Sequence, residues 1–279
     1  MLFDAHTHLN EEDFTDEERT ERIREIEEDP QLEGVVDIGC DVPSSVMAAR
    51  HAAAYPWCFA TVGVHPHAAG TMTEEDLKEI HRLAGLPGVC AIGEIGLDYH
   101  YDNAPREAQQ AWFRRQIALA LELEMPIVIH SREADRQTMD ILIEEGAFSE
   151  ERREHFAPRT VLAGWEAAAP SAGVVIHCFS GSAELAAEYV RLGADLGIAG
   201  PVTYKNARKT VEVVEALPIE FLLVETDAPY LTPEPLRGKP NKSSYVEHTA
   251  RRVAVIKGME IERVAAVTME NAKRFFDIR

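Results

Sequence analysis

The chain has 279 residues, 46% of them hydrophobic, and its 48 acidic and 28 basic side chains give a net charge of −20. There is apolar material for a large core, and the charge opposes broad attraction to nucleic acid or to an anionic membrane surface. No stretch approaches the ~20 consecutive apolar residues that cross a bilayer, the N-terminus lacks the basic and apolar regions of a secretory leader, and Cys40, Cys58, Cys90 and Cys178 form no C-x-x-C pair, so the expectation is a cytoplasmic protein with free thiols.

In chain order, eight short runs read as strands: Leu2–His8, Gly34–Cys40, Cys58–His65, Val89–Gly96, Pro126–Ser131, Gly173–Phe179, Ala194–Gly200 and Phe221–Asp227. Most are rich in Val and Ile, with continuous rather than alternating hydrophobicity, as in parallel strands buried on both faces. Helical patterns lie between them. Thr73-Glu74-Glu75-Asp76 resembles a capping box, with Leu77, Ile80, His81 and Ala84 following on one face. Phe113, Ile117, Ala120 and Leu121 mark a second helix, and Ile261, Val264, Ala265, Ala272 and Phe275 the closing one.

Eight βα units in regular alternation predict a single (β/α)8 barrel domain over residues 1–279. Lysine is scarce beside arginine, a pattern that fits a salty cytoplasm. The segment 144–172 is too long for a simple return to the sixth strand, and it reads as an insertion between strands 5 and 6 with one short helix.

Most of the runs stay apolar until their last residues, where ionisable groups appear: His6 and His8, His65 and His67, Glu94 and Asp98, His130, His177, and finally Glu225 and Asp227. In a barrel these strand ends ring one mouth, where such enzymes place their chemistry. A lone histidine after a strand is commonly structural, and His67, following Pro66, reads as facing solvent. Four imidazoles and two carboxylates converging from different strands are another matter. His6, His8, Glu94, His130, His177 and Asp227 read as metal ligands, enough for two divalent cations, with mixed nitrogen and oxygen ligation suiting Zn, Mn, Mg, Co or Fe. His6 and His8 share a strand face, so both reach one ion.

The ordered motifs DAHTHL, VGVHPH, AIGEIGLDYH, IHCFSG, GIAGPVTYKNA, ETDAPYLTPEPLRGKPN and TMENAKRFF resemble those of the TatD family of metal-dependent deoxyribonucleases, over nearly the whole chain. The resemblance implies that His6, His8, Glu94 and Asp227 hold one metal. Glu94 bridges to a second, completed by His130 and His177. His65 and Glu225 match active-site positions. The chain departs from the family pattern in the length of 144–172 and in having no proline before Tyr245-Val246, both on loops expected to bear on substrate choice.

The expected activity is hydrolysis of phosphodiester bonds, as a DNA exonuclease, with Asp227 orienting the attacking water or taking its proton. Lys205, Arg237 and Lys239 are the expected phosphate-holding residues, within a basic group that also includes Arg132, Arg208, Lys209 and Lys242. Two other readings stay open: a hydrolase of a small phosphodiester, ester or amide using the same metals, and a non-catalytic nucleic-acid-binding or scaffold protein. The partner expected is DNA or another phosphodiester, not a membrane.

Overall fold

A computed structural model of the chain describes residues 1–157, 164, 165 and 170–278. All eight expected strands are present: β1 (Leu2–Thr7), β2 (Leu32–Ile38), β3 (Cys58–Val62), β4 (Val89–Asp98), β5 (Ile127–Arg132), β6 (Val174–Ile176), β7 (Ala194–Ile198) and β8 (Leu222–Val224). They pair in sequence order in one parallel sheet. Beyond β8 the chain returns to β1: Thr7 bridges to Ala228, the Asp227 N–H donates to the His6 carbonyl at 2.9 Å, and the His8 N–H donates to the Ala228 carbonyl at 2.8 Å. These contacts complete the barrel.

The helices are α1 (Asp16–Glu28), α2 (Val42–Ala54), α3 (Glu74–Ala84), α4 (Arg106–Glu122), α5 (Asp135–Glu144), α6 (Glu150–Arg153), α7 (Ala183–Leu192), α8 (Arg208–Ala216), α9 (Val246–Lys257) and α10 (Ile261–Phe275). The capping box opens α3 as expected: Thr73 Oγ1 accepts from the Asp76 N–H at 3.3 Å and Asp76 Oδ2 accepts from the Thr73 N–H at 2.8 Å. Its buried face is Ile80, Leu83 and Ala84, whereas His81 is exposed. Leu83, one turn beyond Ile80, takes the inward place that the sequence reading assigned to His81. Among the described residues no helix is long and apolar enough to cross a membrane.

The strands end earlier than their apolar runs on β6 and β8, because the polar residues that follow leave the ladder. Cys178 and Asp227 take positive φ, 43° and 57°. That is a conformation non-glycine residues seldom adopt, and it re-aims the chain at the mouth. On β4, by contrast, pairing runs on to Asp98 because β4 and β5 lie unusually close there. A Cβ on Gly96 would sit 1.9 Å from the His130 carbonyl oxygen, so only glycine fits.

Val128, Val175 and Leu223 lie two residues before His130, His177 and Glu225 and so share their strand faces. They pack with Phe3, Ala5, Val36, Ile38 and Ala91, and with Phe275 of α10, into one apolar cluster. A dry layer therefore lies beneath the polar mouth. A larger cluster fills the space between strands and helices, with Ile92, Ile95, Ile127 and Ile129 facing Phe113 and Ile117 of α4.

The expected short helix of the insertion is α6. Its Arg152 is buried and donates to the carbonyls of Ala172 at 2.7 Å, Met125 at 2.8 Å and Gly173 at 3.3 Å. Those carbonyls stand at the starts of β5 and β6, the end of the barrel away from the mouth. For α6 this departs from the expectation that the insertion borders the substrate: a helix-to-strand return enters at the strand's N-terminal end. Pro158 and most of the alanine-rich piece, 166–169, fall outside the described residues.

Candidate metal centre

Five side-chain atoms from four strand ends converge. His6 Nε2 lies 3.3 Å from His8 Nε2, 3.4 Å from Glu94 Oε2 and 3.6 Å from Asp227 Oδ1. His8 Nε2 lies 3.3 Å from the same Asp227 oxygen, and His177 Nε2 lies 3.6 Å from it. His6 and His177 stack, ring centroids 3.5 Å apart. Tetrahedral coordination with metal–imidazole bonds of ~2.0–2.1 Å sets ligand atoms ~3.3 Å apart. The observed spacings match the edges of such a shell. His6, His8 and Asp227 form one group of potential ligands, and His6, Glu94 and His177 another.

Glu94 faces two ways. Its Oε2 looks toward His6, while Oε1 lies 2.8 Å from His130 Nδ1, 3.9 Å from His177 Nε2 and 4.0 Å from His65 Nε2. His177 stands between the two groups, in reach of both. All six expected ligands are thus brought together, and His65 joins them.

Neighbouring groups fix the rings. His8 Nδ1 lies 3.1 Å from the Ile38 carbonyl, which can only accept. The proton therefore sits on Nδ1, and the Nε2 lone pair turns inward. Asp37 holds the segment carrying His8: its Oδ1 accepts from the Leu9 N–H and from Asn10 Nδ2, each at 2.8 Å, and its Oδ2 lies 2.7 Å from His51 Nδ1. His65 differs. Its Nδ1 accepts from the His67 N–H at 3.2 Å, so the neutral ring carries its proton on Nε2 and is a donor toward the centre. That suits gripping an oxygen better than a cation.

Two buried glutamines of α4 clamp neighbouring strand ends. Gln116 exchanges two hydrogen bonds with the Val64 backbone, at 2.7 and 3.0 Å, and Gln109 two with the Asp98 backbone, at 2.8 and 3.1 Å. Asp98 in turn ties two imidazoles: its Oδ2 lies 2.9 Å from His67 Nε2 and 3.2 Å from His130 Nε2. His67 does not simply face solvent; Asp98 draws it in. The sequence did carry a sign of Asp98, four residues after Glu94 and so on the same strand face. For His67, beyond a proline in a short turn, no such periodicity was available.

Glu225 lies behind the centre. It is 2% exposed, its Oε1 accepts from the Cys178 N–H at 2.6 Å, and the same oxygen lies 2.8 Å from His177 Nδ1. The space it fills exists because residue 197 is glycine: a Cβ there would meet the carboxylate at 2.4 Å. Glu225 thus lies against the side of His177 that faces away from the other ligand candidates. Asp4, on the same run as His6 and His8, also serves structure. Its Oδ1 accepts from the Thr226 N–H at 2.9 Å and its Oδ2 from the Thr226 hydroxyl at 2.6 Å. The pairing register of β1 shifts between Asp4 and Thr7, so simple alternation does not place this carboxylate with the two imidazoles.

The electrostatics follow from this crowding. Burial alone would raise the Glu94 pKa, but His177, His130 and His6 outweigh it and hold the carboxyl well below its usual range. The same contest, won by His177, His8 and His6, lowers Asp227. Burial would lower His177, yet Glu225, Glu94 and Asp227 raise it to about 9. Burial and the neighbouring His130 keep His65 well below an ordinary histidine, hence neutral. The ionised carboxylates thus favour a proton on His177, and a divalent cation would have to displace that proton, because only the neutral imidazole ligates.

The expected phosphate-holding residues lie outside this cluster. Lys205, Arg237 and Lys239 are exposed, and Arg237 rests on the Tyr204 ring at 4.4 Å from its centroid. Of the wider basic group, Arg208 pairs with Glu212 at 2.7 Å and Lys242 with Glu25.

Comparison with known proteins agrees with this architecture. Residues 3–277 match the family model described as TatD related DNase. The chain is 42% identical over 278 residues to an uncharacterized metal-dependent hydrolase, YabD, of Bacillus subtilis, covering 100% of both chains. It is 35% identical over 253 residues to a 3′-5′ ssDNA/RNA exonuclease, TatD, of a Rahnella strain, covering 88% of this chain and 87% of the other. Among solved structures, the TatD homologue YjjV of Escherichia coli superposes with a TM-score of 0.83 at 23% identity, over 100% of this chain and 98% of that one, which supports the fold. Family model, relatives and barrel together show that this chain belongs to the TatD family of metal-dependent hydrolases.

Proposed function

We propose that the protein is a phosphodiesterase acting on DNA from a chain end, with two divalent cations held by His6, His8, Glu94, His130, His177 and Asp227. The observation that carries the reading is the placement of Glu94: its two carboxylate oxygens face different imidazole groups, Oε2 at 3.4 Å from His6 and Oε1 at 2.8 Å from His130. One carboxylate shared in this way suits a pair of cations rather than one. When bound, the cations supply charge neutralisation of the phosphate and acidification of a water.

The chain's own residues do the rest. Asp227 orients the incoming water and takes its proton, a role supported by its being the most exposed of His6, His8 and Asp227, 15% at the side chain. His65, neutral and donating through Nε2, is placed to hold a phosphate oxygen. Arg237, Lys205 and Lys239 supply positive charge on the rim of an acidic protein, which would make DNA binding strongly dependent on salt. The name of the Rahnella relative favours a single-stranded substrate.

The test is a parallel assay of an end-labelled single-stranded oligonucleotide and a small chromogenic phosphodiester, with and without added divalent metal. Metal-dependent shortening of the oligonucleotide from one end is the expected result. Hydrolysis of the small diester with DNA left intact would move the reading to a small-molecule hydrolase. DNA binding with no hydrolysis of either substrate would make the protein a binder.

A further inference from the structure

Arg132 closes β5 two residues after His130 and so lies on the same side of the strand, at its mouth end. It is exposed, and its guanidinium lies 4.6 Å from the Tyr101 ring centroid. Tyr101 is 54% exposed and packs edge-on against His67, centroids 5.5 Å apart. His67 reaches the metal centre through Asp98, whose carboxylate it shares with His130. The guanidinium therefore sits where β5 ends, against the turn that follows β4.

What it lacks is informative. Surface arginines of this acidic chain commonly sit on a carboxylate: Arg82 on Glu79 at 2.6 Å, Arg106 on Asp102 at 2.7 Å, Arg136 on Glu188 at 3.0 Å. Among the described residues no carboxylate lies within ion-pair distance of Arg132, despite a net charge of −20. An aromatic face holds the guanidinium in place while leaving its five N–H donors free, the arrangement that recognises a phosphate bidentately at low entropic cost.

We propose that Arg132, held on Tyr101, grips a phosphate next to the scissile one, so that the enzyme prefers a polynucleotide to a diester with a single phosphate. The proposal rests on the phosphodiesterase reading above, and adds a subsite that discriminates by substrate length. Tyr101 offers in addition an exposed ring on which the base attached to that phosphate stacks.

The experiment compares Arg132→Ala, Tyr101→Ala and Tyr101→Phe with the parent protein on a single-stranded decanucleotide and on bis(p-nitrophenyl) phosphate, at saturating metal. It also measures binding of the labelled decanucleotide in EDTA across a salt series. For Arg132→Ala the expected result is a loss of about ten-fold or more in kcat/KM on the decanucleotide, with the small diester unchanged. Binding weakens by a similar factor, and the slope of log Kd against log salt falls by about 0.7 to 1. Tyr101→Ala follows the same pattern in milder form, and Tyr101→Phe restores the parent values because the ring, not the hydroxyl, carries the guanidinium. Equal loss on both substrates would overturn the proposal by placing Arg132 on the scissile phosphate or in the scaffold. Unchanged decanucleotide cleavage and binding would overturn it as well. A parent protein that hydrolyses only the small diester refutes the nuclease reading itself, a result distinct from any effect of Arg132.

Discussion

Oε1 of Glu225 lies 2.8 Å from Nδ1 of His177, in a space that a side chain at position 197 would fill. The carboxylate stands behind the imidazole as an ion-pair partner, while Nε2 faces Glu94 and Asp227. Outer partners of this kind typically govern metal affinity by 10–100-fold. Glu225→Gln should therefore fold normally and lose metal affinity by about that factor, measured by competition with a chelator. Gly197→Ala, which drives a methyl into the carboxylate, should reproduce the loss. Unchanged affinity in Glu225→Gln would remove its orienting role.

Glu94 faces two imidazole groups, and its removal should empty both. Elemental analysis of the fully loaded parent protein should approach two divalent ions per chain, and Glu94→Ala should lose occupancy at both sites rather than one. Because the cations bind the folded state, stripping them with EDTA should also lower the Tm of the parent protein more than that of the variant. Full metal content in Glu94→Ala contradicts the bridging assignment.

The proposed mechanism assigns Asp227 to the attacking water. At saturating metal, Asp227→Asn should lower kcat by about 100-fold or more and change KM little, as expected of a positioned acid–base group. A near-normal kcat with metal bound would assign the proton to another group, with His65 the nearest neutral candidate.

Asp4 sets a pH dependence of stability. Burial raises its pKa from 3.8 to about 7, against the opposing hydrogen bonds from Thr226. Between those values the folded state holds a proton that the unfolded state has released, so this group's contribution is complete below about pH 4 and is lost as pH rises through about 7, at about 1.4 kcal/mol per pH unit. Asparagine mimics the protonated form: Oδ1 still accepts from the Thr226 N–H, and the amide donates to the Thr226 hydroxyl, which can turn to the His6 carbonyl 3.4 Å away. Asp4→Asn should thus gain stability relative to the parent as pH rises from 4 to 7, by denaturant unfolding at each pH, whereas Asp4→Ala should cost about 1–3 kcal/mol throughout. A difference between parent and Asp4→Asn that stays flat with pH contradicts the neutral carboxyl.

The sequence alone determined the barrel and the membership of its mouth. Buried parallel strands are apolar along most of their length, metal-capable residues gather in the C-terminal part of several of them, and the C-terminal ends of eight such strands share one rim. His6, His8, Glu94, His130, His177 and Asp227 were legible for that reason. Tertiary structure decided how these groups face one another. That Glu225 stands behind His177, that Asp98 ties His67 to His130, and that His65 presents a proton instead of a lone pair all depend on which strands are neighbours and which backbone atoms lie within hydrogen-bond reach. No periodicity along one strand encodes such lateral distances. The same holds for α6 of the insertion: the length of 144–172 is visible in the sequence, but only the bonds from Arg152 to the carbonyls of Met125, Ala172 and Gly173 place that helix at the far end of the barrel.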